Sequence, residues 1–184
     1  MARSDEYLLQ MALEGDGASF GVLVQRWEKR IYGFICRYVG NREEARDLTQ
    51  DTFTKAYQNL DRLVEPARFS SWLYKIALNE CRMRFRREKG THRISWEESR
   101  AEARRSERVE ENPESRLEIV QNVDLLKEVF RDLPREQREV ILMKEFQGLK
   151  FHEISEILSV PLSTAKSRMY LGLKTLRKLM EERR

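Results

Sequence analysis

Apolar residues recur at three- and four-residue intervals along most of this chain, the spacing that places side chains on one face of a helix. A short stripe, Leu8, Met11 and Ala12, ends at Gly15-Asp16, and a longer one, Phe20, Leu23, Val24, Trp27, Ile31, Phe34, Ile35 and Tyr38, ends at Gly40-Asn41. Glycine and Asx residues at these points read as helix stops and starts. A third helix is expected from about Arg42 to Asn59, with Ala45, Leu48, Thr52, Ala56 and Leu60 inward. That phase leaves Asp47, Gln50, Asp51, Thr54 and Gln58 on one outward face. A fourth helix starts after Ser70 and runs to about Lys89. Further on, Phe151, Ile154, Ile157 and Leu158 mark a short helix, Ser159-Val160-Pro161 a turn, and Ala165, Met169, Gly172 or Leu173, Leu176 and Met180 the buried stripe of a second helix. A short helix, a tight turn and a longer helix predict a helix-turn-helix.

Between these two patterned stretches the rhythm stops. Residues 90–116 alternate Arg and Glu with almost no apolar side chain after Trp96, so they bury too little surface to offset chain entropy and read as a flexible linker. The expected fold class is all-α: a four-helix domain over residues 1–89 and a helix-turn-helix domain over 117–184, joined by that linker. The first segment holds 16 basic and 13 acidic residues, the linker 6 and 7, the last 13 and 11. Fully extended, the linker's 27 residues reach at most roughly 90 Å, more than two turns of B-DNA at about 34 Å each.

Charge changes the picture where it is concentrated. The helix from Leu162 to Met180 contains Lys166, Arg168, Lys174, Arg177 and Lys178 and no acidic residue, a local +5 on a chain whose net charge is +4. Ser163, Lys166, Ser167, Tyr170, Lys174 and Arg177 fall opposite its buried stripe, where a helix lying in a major groove presents donors to bases and phosphates. Ser163 or Thr164 is expected to cap its start. In the fourth helix Phe69, Trp72, Tyr74 and Phe85 are interleaved with Lys75, Arg82, Arg84, Arg86, Arg87 and Lys89. Lys75, Asn79, Arg82 and Arg86 share a stripe, and rings beside cations suit unstacked bases, each worth roughly 1–3 kcal/mol in stacking. No apolar run approaches the roughly 20 residues of a bilayer span, and the N-terminus lacks an apolar signal core, so a soluble, cytoplasmic protein is expected. Cys36 and Cys81 have no CxxC partner, and His92 and His152 stand alone. No metal, cofactor or catalytic group is indicated, and each cysteine reads as a buried free thiol.

Three motifs in order carry a resemblance. Asp47-Leu48-Thr49-Gln50-Asp51-Thr52-Phe53 precedes Lys55-Ala56-Tyr57, and Phe69-Ser70-Ser71-Trp72-Leu73-Tyr74-Lys75-Ile76-Ala77-Leu78-Asn79 follows. Leu133-Pro134 with Arg138, Val140 and Leu142 then leads into Thr164-Ala165-Lys166-Ser167-Arg168. In these the chain resembles the sigma factors of bacterial RNA polymerase, in particular the small extracytoplasmic-function group that has only the second and fourth conserved regions. The resemblance implies docking of the third helix on the clamp helices of the largest polymerase subunit, through Asp47, Leu48, Gln50, Asp51 and Phe53. It further implies that the loop Asp61 to Arg68, with Lys55, Leu63 and Asn79, holds a base flipped from the minus-ten element, beside Trp72, Lys75, Arg82 and Arg86. Ser163, Thr164, Lys166, Ser167, Arg168, Tyr170 and Lys174 would read the minus-thirty-five element as duplex, and an anti-sigma protein would cover one or both lobes.

The chain departs from the family's usual pattern at Ser163, where glycine is frequent, at Leu171 and Leu173, near which arginines are usual, and at Leu63, where an aromatic is common. A competing expectation is a stand-alone helix-turn-helix regulator that binds duplex operators as a dimer. Such a protein needs neither an acidic docking face nor an aromatic-basic helix.

Overall fold

The computed structural model describes residues 3–88, 128–130 and 132–183. The expected linker at 90–116, and the start of the second domain at 117–127, lie outside the described residues. Two compact units result, and the regular structure among the described residues is helical.

The first unit is built on α2, Gly17–Val39, flanked by α1, Asp5–Leu13, α3, Arg42–Gln58, and α4, Phe69–Glu88. Its helix ends follow from local chemistry. Ser4 Oγ accepts the Tyr7 amide, Asp16 Oδ1 that of Ala18 and Asn41 Oδ1 that of Glu44, so each of the first three helices has a side-chain N-cap. Gly40 at φ 79° stops α2, its amide donating to the Cys36 carbonyl, because the left-handed conformation costs glycine nothing. The Asp16 carboxyl sits below its usual range, chiefly through the Ser19 hydroxyl and then the Ala18 and Ser19 amides.

One face of α2 supplies the core: Leu23, Ile31, Phe34 and Ile35 are fully buried, and Trp27 and Tyr38 nearly so. Rings from α4 close on it edge-on, with Trp27 to Phe69 centroids 6.0 Å apart and Phe34 to Tyr74 centroids 5.5 Å apart, the arrangement aromatic quadrupoles prefer. α1 is tied on by Asp5, which accepts from Trp27 Nε1 at 2.8 Å and pairs with Arg26. Two single-turn 3-10 helices, Leu60–Arg62 and Pro66–Arg68, join α3 to α4. Cys81 is buried as expected, but Cys36 is only half-buried, one helical turn from Tyr32. Burial, and next the neighbouring thiol, push that phenol's pKa up.

The second unit contains α5, Arg135–Ile141, which runs into a π turn at Leu142–Phe146, then α6, Phe151–Leu158, and α7, Leu162–Glu182. Five consecutive residues of the first segment, Glu139 to Met143, are buried. α6 ends in a Schellman arrangement: the Val160 amide donates to the Ser155 carbonyl at 3.1 Å, with Ser159 at φ 54° between them. Ser155 Oγ also donates to the Val160 carbonyl at 2.7 Å, which fixes the turn between the two helices.

Gly172, rather than Leu173, is on the inward face of α7; Leu173 is 46% exposed. A Cβ at 172 would stand 2.8 Å from Ile141 Cδ1 and 3.1 Å from Gln137 Cβ, so α5 and α7 approach closely only because that atom is missing. The expected cap on α7 does not form. Pro161 occupies the N-cap position with no side-chain hydrogen bond, because its fixed φ lets the helix begin at Leu162, placing Ser163 and Thr164 already inside the first turn. The Ser163 carbonyl instead accepts Ser167 Oγ at 2.9 Å.

Two stability predictions follow from this geometry. Gly172→Ala gains about 1 kcal/mol of helix propensity but should lose more, since overpacking costs about 1–3 kcal/mol; in an Ile141→Val background, which removes Cδ1, the loss should shrink. Ser159→Val should cost about 1–2 kcal/mol, because a β-branched residue resists the left-handed region, whereas Ser159→Gly should cost less, since glycine adopts that region freely. Thermal unfolding followed by circular dichroism measures both.

Candidate nucleic-acid interfaces

On the first unit, the inward phase of α3 leaves Asp47, Gln50, Asp51, Thr54 and Gln58 all exposed, an acidic, amide-bearing strip. Leu48 and Phe53, grouped with that strip in the sequence, are each only 7% exposed. They form its floor. The threonines between them are also buried, and their hydroxyls are satisfied locally: Thr49 Oγ1 donates to the Ala45 carbonyl and Thr52 Oγ1 to the Leu48 carbonyl, each at 2.6 Å.

On α4, Lys75, Asn79 and Arg86 are exposed and Arg82 half-buried, so the stripe expected from the spacing four, three and four exists. The aromatic expectation divides. Phe69 and Tyr74 are 2% and 1% exposed and belong to the core, since α2 presents Trp27 and Phe34 to them. Trp72 is half-buried, its ring 6.2 Å from Phe69, and Phe85 is half-buried against Tyr38. Of the four rings, these two reach the surface. In the connecting loop Leu63 is half-buried while Val64 is 90% exposed, an apolar projection that the sequence did not single out. Lys55, on the last turn of α3, is held by Glu80 of α4, both of whose oxygens accept from Nζ at 2.6 Å. Arg84 pairs with Glu44 on α3.

On the second unit, Ser163, Lys166, Ser167, Tyr170 and Lys174 are exposed along α7, Tyr170 at 71%. Ala165, Met169 and Gly172 are buried opposite. Thr164 is half-buried. Arg168 lies at the margin of the exposed arc, 22% exposed, with Nη2 3.2 Å from Glu136 of α5.

Comparison with known proteins adds a family to this geometry. The sigma-70 region 2 model matches residues 23–91 and the sigma-70 region 4 model residues 124–176. The ECF RNA polymerase sigma factor SigW of Bacillus subtilis is 31% identical over 178 residues, covering 95% of each chain. This chain belongs to the ECF sigma factors of RNA polymerase. Its fold is also that of CnrH, solved with the cytosolic domain of CnrY, at 24% identity and a TM-score of 0.69 over 98% of this chain and 99% of that one. RpoE, solved with the anti-sigma factor NepR from Bartonella quintana, gives 22% identity and a TM-score of 0.64 over 90% and 98%.

In this sigma factor the region 2 match begins within α2, yet α1 is part of the same unit, with Leu8 and Leu9 buried at 1% and 0% exposure. The match to region 4 takes in α5, α6 and most of α7, so the close contact at Gly172 lies within it. Glu80, Glu44 and Glu136, which hold three basic side chains of the candidate interfaces, were not singled out in the sequence. A glutamate in a helix ordinarily reads as an unpaired surface charge, and only the register of a neighbouring helix shows the cation it meets.

The different settings of Lys166 and Arg168 give a measurable contrast. Lys166→Ala should flatten the slope of log Kobs against log salt for promoter duplex by about 0.9, one phosphate contact. Arg168→Ala should change that slope by less than half as much and lower the melting temperature instead, through loss of the Glu136 pair, which as a partly exposed pair is worth about 0–1 kcal/mol. Equal slope changes would place both side chains on phosphate.

Proposed function

We propose that this sigma factor recruits core RNA polymerase through the outward strip of α3, holds the opened minus-ten strand on α4 and its preceding loop, and reads the minus-thirty-five duplex with α7. The observation that carries this reading is the relation to SigW over 95% of both chains, with regions 2 and 4 in order. The geometry supports it: a carboxylate- and amide-bearing strip suits a basic partner, half-buried rings among cations suit unpaired bases, and a helix presenting hydroxyls and ammonium groups suits a major groove.

In this reading Asp47, Gln50 and Asp51 make the polymerase contact over the floor of Leu48 and Phe53. Leu63, Trp72, Lys75, Asn79, Arg82 and Arg86, with Lys55 at their edge, receive the strand. Flipping a base costs a few kcal/mol of stacking and pairing, which these groups must return. Ser163, Thr164, Lys166, Ser167, Tyr170 and Lys174 face the duplex, with Arg168 beside them. The factor supplies binding and no chemistry of its own, and it works where polymerase and chromosome are, in the cytoplasm. An anti-sigma protein, of the kind solved in complex with RpoE, would keep it from polymerase.

The test is promoter binding with and without core polymerase. Weak binding by the chain alone and specific binding with polymerase, followed by defined transcription starts, is expected; tight operator binding by the isolated chain would identify a stand-alone regulator instead. Replacing Asp47 and Gln50 by Ala and Asp51 by Arg should abolish co-purification with polymerase at unchanged helical content. Retained binding would move the docking face elsewhere.

A further inference from the structure

A carboxylate lies under the strand-binding side of the first unit, where a carboxylate is least expected. Glu80 directly follows Asn79 in α4 and is 7% exposed. Its two oxygens accept from one ammonium, Lys55 Nζ, at 2.6 Å each. The exposure is lopsided: 41% for the Lys55 side chain against 9% for that of Glu80. The cation is thus at the surface and the anion beneath it. Lys55 is also anchored at its backbone, because its carbonyl accepts the Asn59 side-chain amide at 2.8 Å and the Asn59 backbone amide at 3.1 Å. The pair therefore marks the corner where α3 ends, the loop to Leu63 begins and the Lys75, Asn79, Arg82, Arg86 stripe passes.

Stability does not account for the pair. Taking the carboxylate out of water offsets much of the pair's attraction, and apolar residues of similar volume often join helices as well or better. Its effect on an incoming strand is specific. A phosphate near Lys55 must share that ammonium with a fixed carboxylate a single hydrogen bond away, so the contact releases less counterion and gains less than a phosphate on an unpaired lysine.

We propose that Glu80 acts as a brake on single-strand capture: it holds Lys55 in place at the edge of the minus-ten surface while cancelling its charge, so that the free factor binds unspecific strands weakly. This rests on the reading of the first unit as a strand-binding module. Discrimination then falls to the groups that touch bases, because the nearby cation adds little to every sequence alike.

The experiment uses the full chain without polymerase and a short oligothymidylate, titrated between about 50 and 200 mM salt. Glu80→Gln, nearly isosteric, and Glu80→Leu, which fills the site with apolar atoms, both remove the charge, and one folded variant suffices. Either should bind roughly five- to ten-fold more tightly at the lowest salt, with a slope of log Kobs against log salt steeper by about 0.7, the increment of one single-strand phosphate contact. Adding Lys55→Ala to that variant should remove the gain. Glu80→Asp, which keeps a carboxylate, should keep the wild-type slope, an outcome a merely structural role does not require. A slope unchanged or flatter in a folded charge-removing variant overturns the proposal, as does a gain that survives loss of Lys55. Absence of strand binding in every variant also overturns it, while leaving the polymerase assay to decide the function.

Discussion

The first unit depends on α2 taking up the inward faces of its neighbours. Its buried stripe, from Phe20 through Leu23, Trp27, Ile31, Phe34 and Tyr38, is continuous along the helix, so α3 and α4 have one way each to bury their own apolar residues. Once Ala45, Leu48, Thr52 and Ala56 turn toward the core, the helix period forces Asp47, Gln50 and Asp51 outward. Once Phe69, Leu73, Tyr74 and Ala77 turn inward, Lys75 and Asn79 must face out. The candidate interfaces are thus the complement of the core, and shifting either helix by one residue would carry both away together. The second unit obeys the same rule through a smaller feature: α7 exposes Ser163, Ser167, Tyr170 and Lys174 because Ala165, Met169 and Gly172 are against the rest of the domain.

This explains how far the sequence could be read. Helix bounds were legible because Asn41, Asp16 and Gly40 have strong local preferences at helix ends, and the strips on α3 and α7 were legible because periodicity alone assigns faces. What failed needed a partner helix. Phe69 and Tyr74 look like the other rings of α4 until Trp27 and Phe34 are placed opposite them. The choice between Gly172 and Leu173 turned on a contact with Ile141 and Gln137, residues some thirty positions away. Ser163 and Thr164 are good caps by type, but Pro161 sets φ for helix entry two residues early, so a local preference lost to its neighbour. Glu139, fully buried with Arg135 Nε 3.8 Å from it, is the same failure as Glu80: nothing in a charged residue's own surroundings in sequence says that it is covered.

Electrostatics in this factor is therefore less generous than a count of basic residues implies. Three cations that would otherwise swell the affinity for any nucleic acid, Lys55, Arg84 and Arg168, are held by glutamates of adjacent helices. Each such pair adds little to stability where it is exposed, yet on the proposed reading each would weaken a phosphate contact in the unspecific term that dominates binding at low salt.

A weak grip by each unit is compatible with tight promoter binding when both act at once. Linking two binding modules turns the second encounter into an intramolecular one, with a gain set by whether the tether spans the sites. The 27 residues 90–116 reach at most roughly 90 Å when fully extended, and a tether of such reach gives only a low effective concentration unless something else holds the two sites in register. Tethering alone would then leave the two contacts loosely coupled. On the function proposed above, polymerase holds the α3 strip and fixes where the strand and the duplex stand, and so supplies that register. On the same proposal the glutamate pairs of α4 and α7 become useful: units that bind poorly alone would be released from unspecific DNA, and specificity would be expressed where both are held in register.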